Sequence, residues 1–109
     1  MQLLFTDLAA RDLDSIIDYI ALDNPTAAGN VYRSVLAAAG RLTEFPDIGR
    51  VGRLPGTREY LLTGLPCLLV YEVSSEAVTI LAVFHGARDL VRALEERQND
   101  LKSSRPPKQ

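Results

Sequence analysis

The sequence predicts an α+β fold in which a helical hairpin packs on a small β-sheet. Two segments, residues 7–22 and 25–44, repeat their apolar side chains with the period of an amphipathic helix. A third region, residues 57–85, contains three apolar runs separated by turn residues, which is typical of a three-strand meander. Residues 2–6 form one further, N-terminal strand of the predicted sheet.

Composition limits the kinds of site that this chain can contain. The 109 residues are 47% hydrophobic and 24% charged, which excludes disorder of the main body. The single cysteine, Cys67, cannot form an internal disulfide, and with the single histidine, His85, it cannot complete a metal site in a monomer. We therefore expect no metal, no cofactor and a reducing cytoplasm.

Charge and hydropathy exclude two further classes. The net charge is −2 and the sequence pI is near 5.3, so a nucleic-acid phosphate backbone would meet no general positive field. No apolar run has the length of a membrane span, and the N-terminal residues lack the pattern of an export signal. We expect neither membrane association nor direct DNA binding by this chain alone.

Each helix of the predicted hairpin has a start signal and an apolar stripe. Thr6 or Asp7 can cap the first helix, and Asn24 followed by Pro25 starts the second. The first stripe contains Leu13, Ile16, Ile17 and Ile20, and the wider second stripe includes Val31, Val35, Ala38 and Leu42. Because the connection between them is short, we expect the helices to be antiparallel.

The strands of the meander are apolar on both faces, so both faces of the sheet need a cover. Cys67–Val73 is a nearly unbroken apolar run, and Val78–Phe84 is apolar at both sets of alternating positions. The helices can cover one face, which leaves the other for a terminal segment or another protein.

The segments around the meander complete the predicted organisation. Residues 47–55 form a glycine-punctuated loop that carries two arginines, and residues 87–97 predict a short C-terminal helix. Residues 98–109 are polar and include two consecutive prolines, which predicts a flexible tail. We therefore assign residues 1–97 to a single domain.

Six motifs in this order resemble the RelE/ParE superfamily of bacterial type II toxins. The resemblance covers most of residues 2–90, and its motifs are Asp12–Ile20, Asn24–Ala28, Phe45–Arg50, Gly56–Glu59, Leu69–Tyr71 and His85–Asp89. It implies a helical hairpin on a small, mainly antiparallel twisted sheet. It also implies a cognate antitoxin that wraps the toxin with an amphipathic segment.

The superfamily divides by target, and the resemblance allows the branches to be compared. The ribonuclease branch relies on lysines, arginines and a tyrosine to cleave messenger RNA on the ribosome. Its lysine positions correspond to Glu59 and Leu61, its strand arginine to Leu68 and its tyrosine to about Leu94, and only Arg88 matches. The Gly-Thr-Arg-Glu and His-Gly-Ala-Arg-Asp motifs are more similar to ParE, a branch that acts on DNA gyrase by protein contact. We therefore favour a gyrase inhibitor over a ribonuclease or a non-toxic regulatory module.

Four arginines are the candidate target-binding residues: Arg50, Arg53, Arg58 and Arg88. We expect them to contribute to target contact more than to stability, because exposed arginines usually contribute little to stability. The alternatives are that the loop arginines are solvated charges and that Arg88 pairs locally with Asp89. His85 and Arg88 would be catalytic only in a ribonuclease, and His85 alone could instead hydrogen-bond a neighbouring backbone group.

The candidate antitoxin-binding residues lie on the helical hairpin. They are Asp12, Ile16, Tyr19, Tyr32 and Leu36. The first helix is acidic, so a basic antitoxin segment would be steered toward it. The complex is expected to be a hetero-oligomer.

Overall fold

The computed structural model describes residues 1–86, 88 and 89, and its architecture is two helices packed on a five-stranded mixed sheet. The strands are β1 (Gln2–Phe5), β2 (Arg50–Val51), β3 (Arg58–Leu61), β4 (Cys67–Val73) and β5 (Ala77–His85). The helices are α1 (Asp7–Ala21) and α2 (Pro25–Glu44), and a 3₁₀ turn follows at Pro46–Ile48. The predicted α+β fold and both helices of the hairpin are confirmed.

The sheet has the order β1-β5-β4-β3-β2 and is mainly antiparallel. Among the described strands, β1 and β5 pair in parallel and the other three pairings are antiparallel. The two-residue strand β2 corrects the sequence prediction, which treated residues 47–55 as an irregular loop. Residues 86, 88 and 89 are helical, whereas the rest of the predicted helix 87–97, its domain boundary and the tail 98–109 lie outside the described residues.

Side chains cap both helices as the sequence indicates. The Thr6 hydroxyl accepts a hydrogen bond from the Ala9 N–H at 3.1 Å, and the Asn24 side-chain oxygen accepts one from the Ala27 N–H at 3.0 Å. Each cap satisfies a backbone donor that the first turn of a helix leaves free. Within residues 1–86, 88 and 89, no helix is long and apolar enough to cross a membrane.

The helices cover one face of the sheet, which we call the inner face. Its residues alternate along the strands, and cross-strand pairs such as Leu69 with Val83 and Tyr71 with Ile80 lie there, fully buried. The stripes of α1 and α2 pack against these side chains to form the core. Burial of this apolar area is the main contribution to folding.

The opposite face, which we call the outer face, retains exposed apolar side chains in the described part of the chain. Leu61 and Leu68 are a cross-strand pair on this face, and Phe84 lies opposite Leu68 on the next strand. Leu61 is 64% exposed and Phe84 is 46% exposed. The sequence predicted that this face needs a cover, and a monomer rarely exposes a large contiguous apolar patch without a function.

A β-bulge in β5 connects the sheet to α1. Val70 pairs with Ala82 whereas Tyr71 pairs with Ile80, so Leu81 is an extra residue on β5. The Thr6 hydroxyl donates to the Leu81 carbonyl at 3.3 Å. The Asp12 carboxylate accepts a hydrogen bond from the Val83 N–H at 3.1 Å.

Replacing Asp12 with alanine is expected to destabilise the fold by about 1–3 kcal/mol, because the Val83 N–H would lose its partner in a partly buried position. Asp14→Ala is the matched control, since Asp14 is an exposed carboxylate on the same helix. Urea unfolding of both variants measures the difference. Equal stabilities would contradict a structural role for Asp12.

Candidate functional site

The loop between α2 and β3 is held against the sheet by one buried tyrosine. The Tyr71 hydroxyl donates to the Pro46 carbonyl at 2.6 Å and accepts from the Gly49 N–H at 3.0 Å. Burial raises the pKa of this hydroxyl, so it stays protonated at neutral pH and keeps its donor. A Cβ atom on residue 49 would lie 2.5 Å from the hydroxyl oxygen, so the close approach requires glycine. The position of β2 therefore depends on a residue more than twenty positions away.

Glu59 lies at the centre of a cluster that we call the arginine pair, formed by Arg50 and Arg53 around its carboxylate. Arg50 Nη2 donates to Oε1 at 2.9 Å, and the Arg53 backbone N–H donates to Oε2 at 3.1 Å. The Nε of Arg53 lies 3.5 Å from the same oxygen. The Glu59 side chain is 6% exposed, whereas those of Arg50 and Arg53 are 68% and 78% exposed. The carboxylate thus anchors two guanidinium groups that remain open to a partner.

Electrostatics keep Glu59 ionised. The hydrogen bond from the Arg53 backbone N–H, followed by that from Arg50, lowers the pKa of Glu59 below its usual value of 4.5, against the opposing effect of desolvation. At neutral pH the cluster therefore carries two positive charges and one negative charge. Its net charge of about +1 contrasts with the net negative charge of the whole chain.

Two open cavities on the outer face adjoin the arginine pair. Each has a volume of about 470 Å³, and both are lined by Arg53, Glu59 and Leu68. Leu61 contributes to the first cavity, and the second is lined also by Leu54, Val70 and Phe84. Arg53 and Glu59 therefore border both cavities, and Arg50 borders the first.

The four predicted target-binding arginines do not form one group. Arg50 and Arg53 share Glu59, but Arg58 points its guanidinium to the Gly49 carbonyl at 2.7 Å and lies 3.5 Å from the Asp47 carboxylate. Arg88 is 9% exposed and is paired with Asp89. Arg58 and Arg88 thus make contacts within the chain. Arg58 is partly exposed and Arg88 is buried, and a role of either in target contact stays a prediction.

His85 and Cys67 face each other across β4 and β5 on the inner face. The His85 backbone N–H donates to the Asp89 carboxylate, and the buried Nδ1 has no hydrogen-bond partner in the described part of the chain. Burial lowers the pKa of His85, against the opposing effect of Asp89. Burial, with a smaller contribution from Asp89, raises the pKa of the Cys67 thiol to about 11. Cys67 is therefore a protonated, inert thiol at neutral pH rather than an activated nucleophile.

Acid is expected to destabilise the fold in two steps, which follow from these pKa values. In the unfolded chain His85 binds a proton near pH 6.5, whereas in the folded chain burial lowers its pKa. The free energy of unfolding therefore falls as the pH decreases below about 6.5. Glu59 stabilises the fold above its unfolded pKa of 4.5, and this contribution is lost as the pH falls through its lower folded value. Unfolding free energies measured from pH 8 to pH 3 test both steps.

Two variants assign these steps to individual residues. His85→Gln should remove the fall in unfolding free energy below about pH 6.5, and Glu59→Gln should remove the fall below about pH 4.5. Unchanged pH profiles in both variants would contradict the assignment.

The positions that correspond to the ribonuclease cations lie together on the outer face. Glu59, Leu61 and Leu68 are neighbours on β3 and β4, so the structure brings these positions to one surface. They supply a carboxylate and two leucines, and the nearby arginine pair is bound by that carboxylate. Leu94, which corresponds approximately to the tyrosine of the ribonuclease branch, lies outside the described residues. No group of three or more His, Cys, Asp or Glu side chains in residues 1–86, 88 and 89 is arranged to hold a metal ion.

The predicted antitoxin-binding residues divide into two classes. Tyr19, Tyr32 and Leu36 are partly exposed on the helices and are available to a partner. Ile16 is 0% exposed in the core, and the Asp12 carboxylate accepts a hydrogen bond from the Val83 N–H of β5. Ile16 therefore cannot contact an antitoxin in this conformation, and Asp12 has a structural partner. The amphipathic pattern identified the stripe correctly but did not separate its buried centre from its edges.

Sequence reasoning missed the central role of Glu59. In the sequence, Glu59 stands out only as the last residue of the Gly-Thr-Arg-Glu motif and as the residue at a position where the ribonuclease branch has a lysine. A signal was present, because a hairpin with glycines at 52 and 56 brings Arg50 and Arg53 back towards position 59. Only the pairing of β2 with β3 makes that contact definite.

Family comparison agrees with the fold and with the arrangement of motifs. The model of the ParE toxin of type II toxin-antitoxin systems, parDE, matches residues 3–90. The chain belongs to this family. Among similar proteins, Y4kP of Sinorhizobium fredii, which is named as a toxin, is 41% identical over 78 residues, covering 72% of this chain and 80% of its own. Toxin RelE2 of Caulobacter vibrioides is 33% identical over 87 residues, covering 80% and 97%.

Solved structures of toxin-antitoxin systems share the architecture of this ParE-family chain. The chromosomal ParDE system from P. aeruginosa matches with a TM-score of 0.71 and 26% identity, covering 78% of this chain and 95% of that chain. The RelBE2 complex of Mycobacterium tuberculosis matches with a TM-score of 0.52 and 28% identity, covering 77% and 95%. The RelBE complex of E. coli, at 18% identity and a TM-score of 0.56 over 77% and 94%, shows the fold alone. The RelE/ParE superfamily assignment made from the sequence is confirmed.

Proposed function

We propose that this ParE-family toxin inhibits DNA gyrase by protein contact, without catalysis of its own, and that it acts in the cytoplasm. The observation that supports this choice is the chemistry at Glu59, Leu61 and Leu68. Cleavage of RNA needs cations to neutralise the scissile phosphate and the charge that develops on it. At these positions the chain carries a carboxylate and two apolar side chains, and Glu59 already binds both nearby arginines.

His85 does not supply the missing catalytic group. Its side chain is buried, its pKa is lowered, and the thiol opposite it is protonated. A general base must reach the hydroxyl group from which it removes a proton. A buried imidazole on the inner face does not meet that requirement for a substrate bound on the outer face.

Two assays on the same purified protein test the proposal. One measures supercoiling by DNA gyrase, and the other measures cleavage of messenger RNA on ribosomes. We expect inhibition of supercoiling and no cleavage. Cleavage without gyrase inhibition would instead identify a ribosome-dependent ribonuclease, and the absence of both activities would favour a non-toxic regulatory module.

We further propose a cognate antitoxin as the partner that neutralises the toxin. Solved relatives of similar fold are toxin-antitoxin complexes. In this chain the exposed parts of Tyr19, Tyr32 and Leu36 provide an apolar helical surface, and the acidic residues of α1 provide steering for a basic segment.

Copurification with the product of the neighbouring reading frame tests this partner. A stable complex is expected, with association that slows as salt rises and dissociation that changes little. Tyr32→Ala should accelerate dissociation, whereas Arg33→Ala, an exposed neighbour on the same helix, should not. A stable toxin that does not bind this product at any salt concentration would contradict the proposal.

A further inference from the structure

The outer face combines features that point to one kind of partner. Its centre is the arginine pair, and its flanks are the two cavities with exposed Leu61, Leu54 and Phe84. Membership of the ParE family does not by itself identify a molecule that binds this surface. Its charge also differs from that of the helical layer, where the acidic residues of α1 lie.

The arginine pair has hydrogen-bonding capacity beyond its contacts with Glu59. A guanidinium group has five N–H donors in a planar fork, and this fork fits a carboxylate with two parallel hydrogen bonds. Glu59 accepts from one Arg50 side-chain nitrogen and from the backbone of Arg53. Because both arginine side chains are more than two-thirds exposed, their remaining donors can meet an external carboxylate.

Glu59 gives this pair a defined geometry. Its carboxylate is held by the Arg53 backbone N–H, and Tyr71 fixes the loop on the other side of Arg50 through Gly49 and Pro46. The guanidinium groups therefore need less ordering when a partner binds, which favours affinity.

The residues that border the arginine pair favour a protein over a nucleic acid as the partner of the outer face. A phosphate backbone is bound by several unpaired cations, but this surface has a net charge of only about +1 and is bordered by leucines. Two cavities that share Arg53 and Glu59, and whose other walls are mostly aliphatic or aromatic, suit a protein segment in which aliphatic side chains flank an acidic one.

We propose that the outer face of this toxin binds a segment of gyrase in which one Asp or Glu side chain lies between aliphatic side chains. The acidic side chain binds Arg50 and Arg53, and its aliphatic neighbours enter the cavities beside Leu61 and Phe84. This inference rests on the proposed function, because it names the surface and the chemistry by which gyrase is recognised.

The test compares binding of the intact protein and its variants to purified gyrase, together with inhibition of supercoiling. Arg50→Gln/Arg53→Gln removes both charges but retains side-chain N–H donors for Glu59. Leu61→Ser alters an exposed side chain, so it should leave folding intact even if the double variant unfolds more readily. Thermal unfolding of each variant accompanies the binding measurement.

We expect the double variant to bind gyrase at least about tenfold more weakly, which is the loss typical of a charge-assisted hydrogen bond. Its affinity should also lose the salt dependence of the wild type. Leu61→Ser should weaken binding about tenfold through the loss of apolar burial. The matched controls are Arg33→Gln and Leu22→Ser, exposed residues of the helical layer, and both should bind as the wild type does.

Three results would overturn the inference, and they differ in what they imply for gyrase inhibition. If the wild type inhibits gyrase and every outer-face variant binds equally well, the proposed function stands and this surface is wrong. If the wild type neither binds nor inhibits gyrase, the proposed function fails and the inference fails with it. If the wild type binds ribosomal RNA in a filter assay and the arginine variant does not, the surface recognises a nucleic acid instead.

Discussion

Replacing Ile16 with alanine is expected to destabilise the protein by about 2–5 kcal/mol, the range for truncating a buried isoleucine. Ile16 is fully buried in the core between α1 and the sheet. Removing its three outer carbons takes away their burial and leaves a cavity that the neighbouring side chains fill only in part. Urea unfolding at neutral pH measures the loss.

Two further substitutions make the Ile16 result specific. Ile16→Val should cost about 0.5–1.5 kcal/mol, since it removes one methylene group from the same site. Tyr19→Ala, on the partly exposed side of the same helix, should cost less than Ile16→Ala and should act on antitoxin binding instead. An Ile16→Ala variant as stable as the wild type but unable to bind the antitoxin would show that Ile16 is a surface contact after all.

Replacing Tyr71 with phenylalanine is expected to destabilise the protein by about 2 kcal/mol or more, because each buried group left without a partner costs about 1–3 kcal/mol. The variant removes the hydroxyl that donates to the Pro46 carbonyl and accepts from the Gly49 N–H. The ring remains, so the apolar packing of the core is nearly unchanged. The loss therefore reports on the attachment of the loop before β2.

Hydrogen exchange distinguishes this local effect from a general loss of stability. In Tyr71→Phe the Gly49 amide should exchange much faster than the core amides of β4, and gyrase inhibition should fall because Arg50 follows Gly49 directly. Tyr32→Phe is the control, since its ring is partly exposed on α2 and its hydroxyl makes no hydrogen bond within the described residues. An unchanged exchange rate at Gly49 would mean that the tyrosine does not hold the loop.

The surface described here also explains why arginines in one chain play different roles. Arg50, in β2, and Arg53, in the turn that follows it, keep most of their donors in solvent. Arg58 and Arg88 instead bind carbonyl or carboxylate groups of the chain itself. Exposed pairs contribute little to stability, but breaking a buried pair leaves an uncompensated charge. Exposure, which the sequence does not give, separates the two cases.

Local signals were sufficient for the helices and for most of the strands. The caps at Thr6 and Asn24 act within three residues, and the apolar period of α1 and α2 needs no knowledge of distant partners. The same is true of the turn residues that precede Cys67 and follow Val73 and so set the limits of β4. These features depend on neighbours along the chain, so a single sequence determines them, and with them the α+β class and the resemblance to the toxin superfamily.

Tertiary structure alone decided the features that depend on register between distant segments. The Asp12 carboxylate accepts from the Val83 N–H, just beyond the bulge at Leu81, and so joins residues about seventy positions apart. The short pairing of β2 with β3 brings Arg50 and Arg53 to Glu59. Whether Ile16 is buried while Tyr19 is not depends on the angle at which α1 meets the sheet. The physical reason is that a strand shifted by one residue turns every side chain to the other face, so the surface of this protein is fixed by long-range packing.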